Sequence, residues 1–126
     1  MDKINLNEKF SLLKEYWKPK IIDELNDSYI KIVKFKGGFM WHHHDNEDEM
    51  FFVVKGTMVI HLKKNNNDES VKYIKVEPGE LIIIPKGMKH MPVAEDEVQV
   101  MLIEPKTTLN TGNVKNERTV EELERI

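Results

Sequence analysis

Apolar residues near the N-terminus fall at Leu6, Phe10, Leu13 and Trp17, spacings of four, three and four that trace one face of a helix. Asn5 or Asn7 is placed to cap it, and Pro19 to end it. The pattern then changes period. Residues 29–35 alternate and are rich in β-branched and aromatic side chains, as a strand requires. Further strands are predicted at 21–25, 50–55, 57–63, 71–76, 81–84, 89–93 and 98–104. Turn signals separate them: Asn26-Asp27, Gly37-Gly38, Gly56 as a hairpin turn, the polar loop KKNNNDES at 63–70, Pro78-Gly79, and Pro85 with Gly87. Short strands punctuated in this way predict an all-β antiparallel barrel or sandwich.

The chain thus divides into an N-terminal helix (1–19), a barrel (20–104) and an irregular C-terminal tail (105–126), within a single domain. Thr119 and Glu122 before Leu123 form a possible capping box for a final helical turn. One short helix leaves no room at the N-terminus for a helix-turn-helix.

Composition narrows the function classes. The chain has 126 residues, enough for one core. Its net charge of −3 gives no case for a nucleic-acid or polybasic membrane surface. Cysteine is absent, which excludes thiolate ligands and nucleophiles, so a bound metal must use His, Asp, Glu or backbone. There is no secretion signal and no run long enough to span a membrane, so a cytoplasmic protein is expected.

The chemistry concentrates in GFMWHHHDNEDEMFFVVKG, residues 38–56. In an extended strand His42 and His44 share a face and His43 takes the other. Where the turn-like DNED kinks the chain, Glu49 returns beside them, on one inward face with Phe51 and Val53. A bare carboxylate there is costly, and a divalent ion removes the cost. His90, after the Pro85–Gly87 turn, can supply the fourth ligand. Three imidazoles and a carboxylate suit Fe, Mn, Co, Ni, Cu or Zn better than Mg or Ca. The plain alternative is polar decoration of a β-turn plus an unrelated histidine.

These residues resemble the two motifs of the cupin superfamily. The first is His42-His43-His44, four residues, Glu49, six residues, Gly56. The second is Gly79, five residues, Pro85-Lys86-Gly87, two residues, His90, with Ala94 where the family closes on Asn. The resemblance implies a small single-domain jelly-roll barrel holding one divalent transition metal on His42, His44, Glu49 and His90. It also implies a barrel mouth that admits a small-molecule ligand or substrate. The metal-dependent activity expected is of dioxygenase or sugar-isomerase type on a small polar metabolite; the alternative is a non-catalytic small-molecule-binding module. Met40, Phe51, His61 and Met101 are candidate pocket-lining residues, His61 a base only if its strand turns it inward. His43 is expected to face outward, and Asp45, Glu47 and Asp48 to form a solvated loop. A homodimer is expected, through the 21–25 strand and the tail.

Overall fold

The computed structural model describes residues 1–63 and 70–126. Its one helix, α1 (Leu6–Ser11), is capped by Asn5, whose side chain accepts from the Glu8 N–H at 3.0 Å. Phe10 and Leu13 bury their side chains against Ile32, as the apolar stripe requires. Trp17 does not belong to that stripe, and the helix is shorter than the expected 1–19 segment. Trp17 adopts a left-handed backbone, φ 63°, unusual for a bulky residue. Tertiary contacts offset that strain. Its N–H donates to the Lys34 carbonyl and its indole Nε1–H to the Lys36 carbonyl, each at 2.9 Å. The ring stacks on Phe35 and Phe39 at centroid distances of 4.3 and 4.8 Å.

The described strands are β1 (Lys20–Leu25), β2 (Ser28–Gly38), β3 (Glu49–Lys55), β4 (Met58–Lys63), β5 (Lys72–Val76), β6 (Leu81–Ile84) and β7 (Lys89–Pro105). They pair antiparallel in the order β1-β2-β7-β3-β6, with β4 joined to both β5 and β7. The expected all-β jelly roll is the observed fold. Three local expectations change. The strands expected at 89–93 and 98–104 are one element, β7. Its first part pairs with β4 and its second with β2 and β3. A bulge in β2 between Phe35 and Gly37 lets that ladder pass the exposed acidic bend at 95–97.

Gly56 does not close a hairpin. β3 lies between β7 and β6, whereas β4 lies between β7 and β5. Phe51 and Val53 of β3, and Met58, Ile60 and Leu62 of β4, thereby join the same buried cluster from different strand pairings. At φ 86° Gly56 carries the chain across, and an added Cβ would lie 2.6 Å from the Glu97 carbonyl oxygen. The loop expected at 63–70 falls, for residues 64–69, outside the described residues.

The third change is in the tail, which forms no terminal helical turn. Thr119 shares a hydroxyl hydrogen bond of 2.6 Å with Thr111 and accepts from the Asn116 N–H at 3.0 Å. The last residues run beside β1: Ile21 N–H donates to the Glu124 carbonyl at 2.9 Å, and Ile126 N–H to the Ile21 carbonyl at 3.0 Å. The two elements expected to pair with a second copy therefore contact each other. Among the described residues no helix is long and apolar enough to cross a membrane.

Candidate metal centre

His42 and His90 face each other as an antiparallel pair and exchange both backbone hydrogen bonds, at 3.0 and 2.9 Å. The two segments are locked at further points. The Gly87 N–H donates to the His44 carbonyl at 2.7 Å, and the Lys86 N–H to Asp48 Oδ1 at 2.8 Å. The tail holds the other side: the Asn113 N–H donates to the His43 carbonyl at 3.0 Å, and the His43 N–H to Asn113 Oδ1 at 2.9 Å. Gly112, at φ 57°, permits this approach; an added Cβ would collide with the His43 carbonyl oxygen and press on the His42 ring.

The pairing brings three imidazoles together, with one ligand-capable nitrogen of each of His42, His44 and His90 within 4.8 Å of the others. His42 Nδ1 lies 2.9 Å from the Met40 carbonyl and His90 Nδ1 2.9 Å from the Met88 carbonyl. A carbonyl only accepts, so the proton sits on Nδ1 and Nε2 keeps its lone pair. Glu49 joins them, with Oε2 2.6 Å from His44 Nε2 and Oε1 3.9 Å from His90 Nε2. The short contact lies off the direction a hydrogen bond needs. His44 Nε2 and His90 Nε2 are buried without a hydrogen-bond partner. Unpaired imidazole nitrogens facing a buried carboxylate fit a cation between them. The donor set is that of a transition-metal site.

Electrostatics agree with this arrangement. Burial, reinforced by the charge His90 would carry, lowers the His42 pKa to about 4. Burial also lowers that of His90. Burial opposes charge on His44 as well, but the Glu49 carboxylate outweighs it and the net shift is upward. Burial works to raise Glu49, yet His44 and then His90 and His42 bring it down to about 2. Burial thus keeps His42 neutral, and the surrounding imidazoles keep the Glu49 carboxylate ionised.

Beside the cradle lies a narrow cleft with a cavity volume of about 30 Å³. His42, Glu49 and Phe51 line it, together with Trp17, Phe35, Phe39, Leu102 and Glu104. Of the other residues expected in the pocket, Met40, His61 and Met101 are not part of this lining. His61 sits in β4 between inward-facing Ile60 and Leu62, so it points outward, its ring 4.7 Å from Tyr73 and 6.3 Å from Trp41. Met101 alternates with inward-facing Val100 and Leu102 and packs under α1 with Phe10. Met40 is half-buried, its sulfur 3.4 Å from Asn116 Nδ2. His43 turns away from the cradle, with Nε2 2.9 Å from Asp45 Oδ1.

Sequence reasoning missed a buried ion pair behind the cradle. Lys31 Nζ lies 2.7 Å from Glu104 Oε1, and the two residues are 1% and 3% exposed. Burial first, and then the Glu49 charge, push Glu104 up to about 8 against the pull of Lys31. A signal was available. Lys31 shares the inward parity of Val33 and Phe35, and Glu104 that of Val98, Val100 and Leu102. Opposite charges on the apolar faces of two strands need each other.

The sequence profile of the cupin domain (Cupin_2) matches residues 31–105. Among solved structures, a cupin-2 domain containing protein from Shewanella frigidimarina is 42% identical, with a TM-score of 0.75 over 82% of this chain and 94% of that one. Protein NMB1881 from Neisseria meningitidis is 30% identical, with a TM-score of 0.71 over 83% of this chain and 100% of its own. Hydroquinone 1,2-dioxygenase from Sphingomonas sp. TTNP3 shares the fold at 16% identity, with a TM-score of 0.74 over 84% of this chain and 33% of that one. No curated protein shows significant sequence similarity to the chain.

Proposed function

The chain belongs to the cupin family, and from that premise we propose that it holds one divalent transition-metal ion on His42, His44, Glu49 and His90 and presents it to a small molecule in the adjoining cleft. One observation carries the reading. Two rings have Nδ1 tied to backbone carbonyls, and two buried Nε2 atoms have no partner, all around one carboxylate. A divalent Fe, Mn, Co, Ni, Cu or Zn ion there supplies a Lewis acid or, where redox-active, a centre for O₂ chemistry. The chain's own part is orientation and exclusion. The Met40 and Met88 carbonyls fix the rings, Glu49 offsets positive charge, and Phe35, Phe51 and Leu102 keep water from the inner wall.

Of the two enzyme types the motifs suggest, the cleft favours a dioxygenase over a sugar isomerase. A sugar needs many hydrogen-bonding partners, and this lining is mostly aromatic and aliphatic. A module that binds its ligand unchanged is the second reading. It is favoured by Asn110 and Trp17, whose polar groups are committed to structural hydrogen bonds. We further propose a cytoplasmic homodimer. The β1 edge is partly covered by the tail, so the second copy is better placed at the opposite edge, β6, where Leu81 and Ile83 are exposed.

Elemental analysis of untagged protein, beside the His44→Ala/His90→Ala double variant, tests the metal. Near one equivalent in the wild type and none in the variant is the expected result. No metal as purified, and no uptake on titration with Mn, Fe, Co, Ni or Zn, would overturn it.

A further inference from the structure

The cavity beside the cradle measures about 30 Å³, room for about two water molecules. Pockets for organic ligands run to about 300 Å³ and more. The cleft is therefore closed, and a wall must move before a small molecule reaches His42 and Glu49. Its walls differ in how firmly they are held. Phe35, Phe51 and Leu102 stand in the paired strands β2, β3 and β7. The tail is tied at many points. Asn110 Nδ2 donates to the Arg118 carbonyl and its Oδ1 accepts from the Val120 N–H; Asn113 makes two hydrogen bonds with the His43 backbone, and Thr111 bonds Thr119. Trp17 is held less. Its N–H donates to the Lys34 carbonyl and its indole Nε1–H to the Lys36 carbonyl, while Lys14, Glu15, Tyr16 and Lys18 around it are exposed. The surface contacts of that stretch, Lys18 with Glu15 and Tyr16 with Glu97, hold it weakly. The left-handed backbone of Trp17, φ 63°, is strained for a bulky residue, and any excursion from it relieves the strain.

From this contrast we infer that residues 14–18 form a hinged lid over the cradle, with the Trp17 indole as its latch, and that the lid swings outward to admit a small molecule. This deepens the proposed function and rests on its reading of the cleft as the ligand site. The hinge points are fixed on both sides. Leu13 is buried against Phe10 and Ile32, and Pro19 is buried with its φ set by its ring. The residues between them absorb the change in backbone angle. In opening, Trp17 gives up its stack on Phe35 and Phe39. Water then meets the Lys34 and Lys36 carbonyls, and the relaxed backbone offsets part of the lost packing. In closing, the indole seals the cradle from bulk water.

Hydrogen exchange of the metal-free protein and the kinetics of Co(II) test the lid together. The Trp17 backbone N–H is expected to exchange at least about 100-fold faster than the amides of the β2–β7 ladder, because the lid opens without unfolding the sheet. Trp17→Phe keeps a stacking ring and loses the indole hydrogen bond, so the N–H at position 17 should exchange about fivefold faster still. Co(II) uptake, and its extraction by EDTA, are then followed by absorbance. Both rates should rise about fivefold in Trp17→Phe and at least about tenfold in Trp17→Ala. A gate speeds entry and exit alike, so Kd should stay within about threefold of wild type; a ring that only supports the cradle would raise the exit rate and Kd together. A Trp17 N–H as protected as the ladder amides, unchanged Co(II) rates in both variants, or faster extraction alone would overturn the inference. Protein that binds no Co(II) yet keeps the exchange pattern sinks the metal centre alone. Protein that binds Co(II) at the same rates in all three forms sinks the lid alone.

Discussion

His42 and His90 exchange both of their backbone hydrogen bonds, and their ring centroids lie 4.4 Å apart. The cradle is therefore built by main-chain pairing, and side-chain changes within it should affect metal before fold. His90→Ala keeps both N–H and carbonyl. It is expected to weaken Co(II) or Zn(II) binding by at least about 100-fold, since a lost ligand costs no less than a lost supporting group. Isothermal titration beside circular dichroism checks this; binding within a few-fold of wild type would remove His90 from the ligand set.

Gly112 and Gly79 form a matched pair. Both have positive φ, but a Cβ on Gly79 meets nothing within 4 Å, whereas one on Gly112 collides with His43 and His42. Gly79→Ala should cost about 1–2 kcal/mol from backbone strain alone and leave metal uptake intact. Gly112→Ala should cost about 1–3 kcal/mol more from overpacking and also lower metal affinity. Urea denaturation and metal titration of both variants decide it. Equal metal affinity in the two would show that the tail does not brace the histidines.

Removing one member of the buried ion pair differs from removing both. Lys31→Met leaves Glu104 buried and unpaired and should cost about 3–5 kcal/mol. Lys31→Met/Glu104→Leu should return to wild-type stability or exceed it. The check is the urea midpoint of each variant; a single variant as stable as the double one would show that water, not Lys31, solvates Glu104.

In the metal-free protein His42 has a pKa of about 4, below its ordinary 6.5. The folded state then binds fewer protons than the unfolded chain between these values. The His42 contribution is complete above pH 6.5, and about 3 kcal/mol is lost as pH falls to 4. His44, shifted upward, contributes stability that is fully present below pH 6.5 and is lost only as pH rises above it, so it leaves this window unchanged. The difference between wild type and His42→Asn isolates the His42 part. Wild type should lose more stability on acidification, and parallel curves would contradict the burial argument.

Trp17 closes the cleft by stacking and by one side-chain hydrogen bond. Trp17→Phe keeps the ring and should cost about 1 kcal/mol for the lost bond. Trp17→Ala loses both and should cost about 2–3 kcal/mol, with faster exchange of any ligand in the cleft. NMR line-shape analysis of a small-molecule titration into both variants measures that exchange; unchanged rates would place the entrance elsewhere.

Much of this molecule is local and therefore readable in the sequence. The period of two, with Gly, Pro and Asn turns, specifies strands because alternation and turn chemistry act over a few residues. The two histidine motifs specify a candidate ligand set because their spacing is a property of one strand and one turn. Alternation also predicts that Glu49, Phe51 and Val53 share an inward face, as they do. What spans the chain was decided by tertiary structure. The inward parity of β7, which sends Leu102 and Glu104 into the cleft and Met101 away from it, depends on its register against β2. Trp17 leaves its helix because Phe35 and Phe39 offer a better partner than the next turn. Gly112 and Asn113 matter only because the tail folds back on His43. Lys31 and Glu104 are ordinary charges in the sequence. They become a device only when two strands place both on the side away from water.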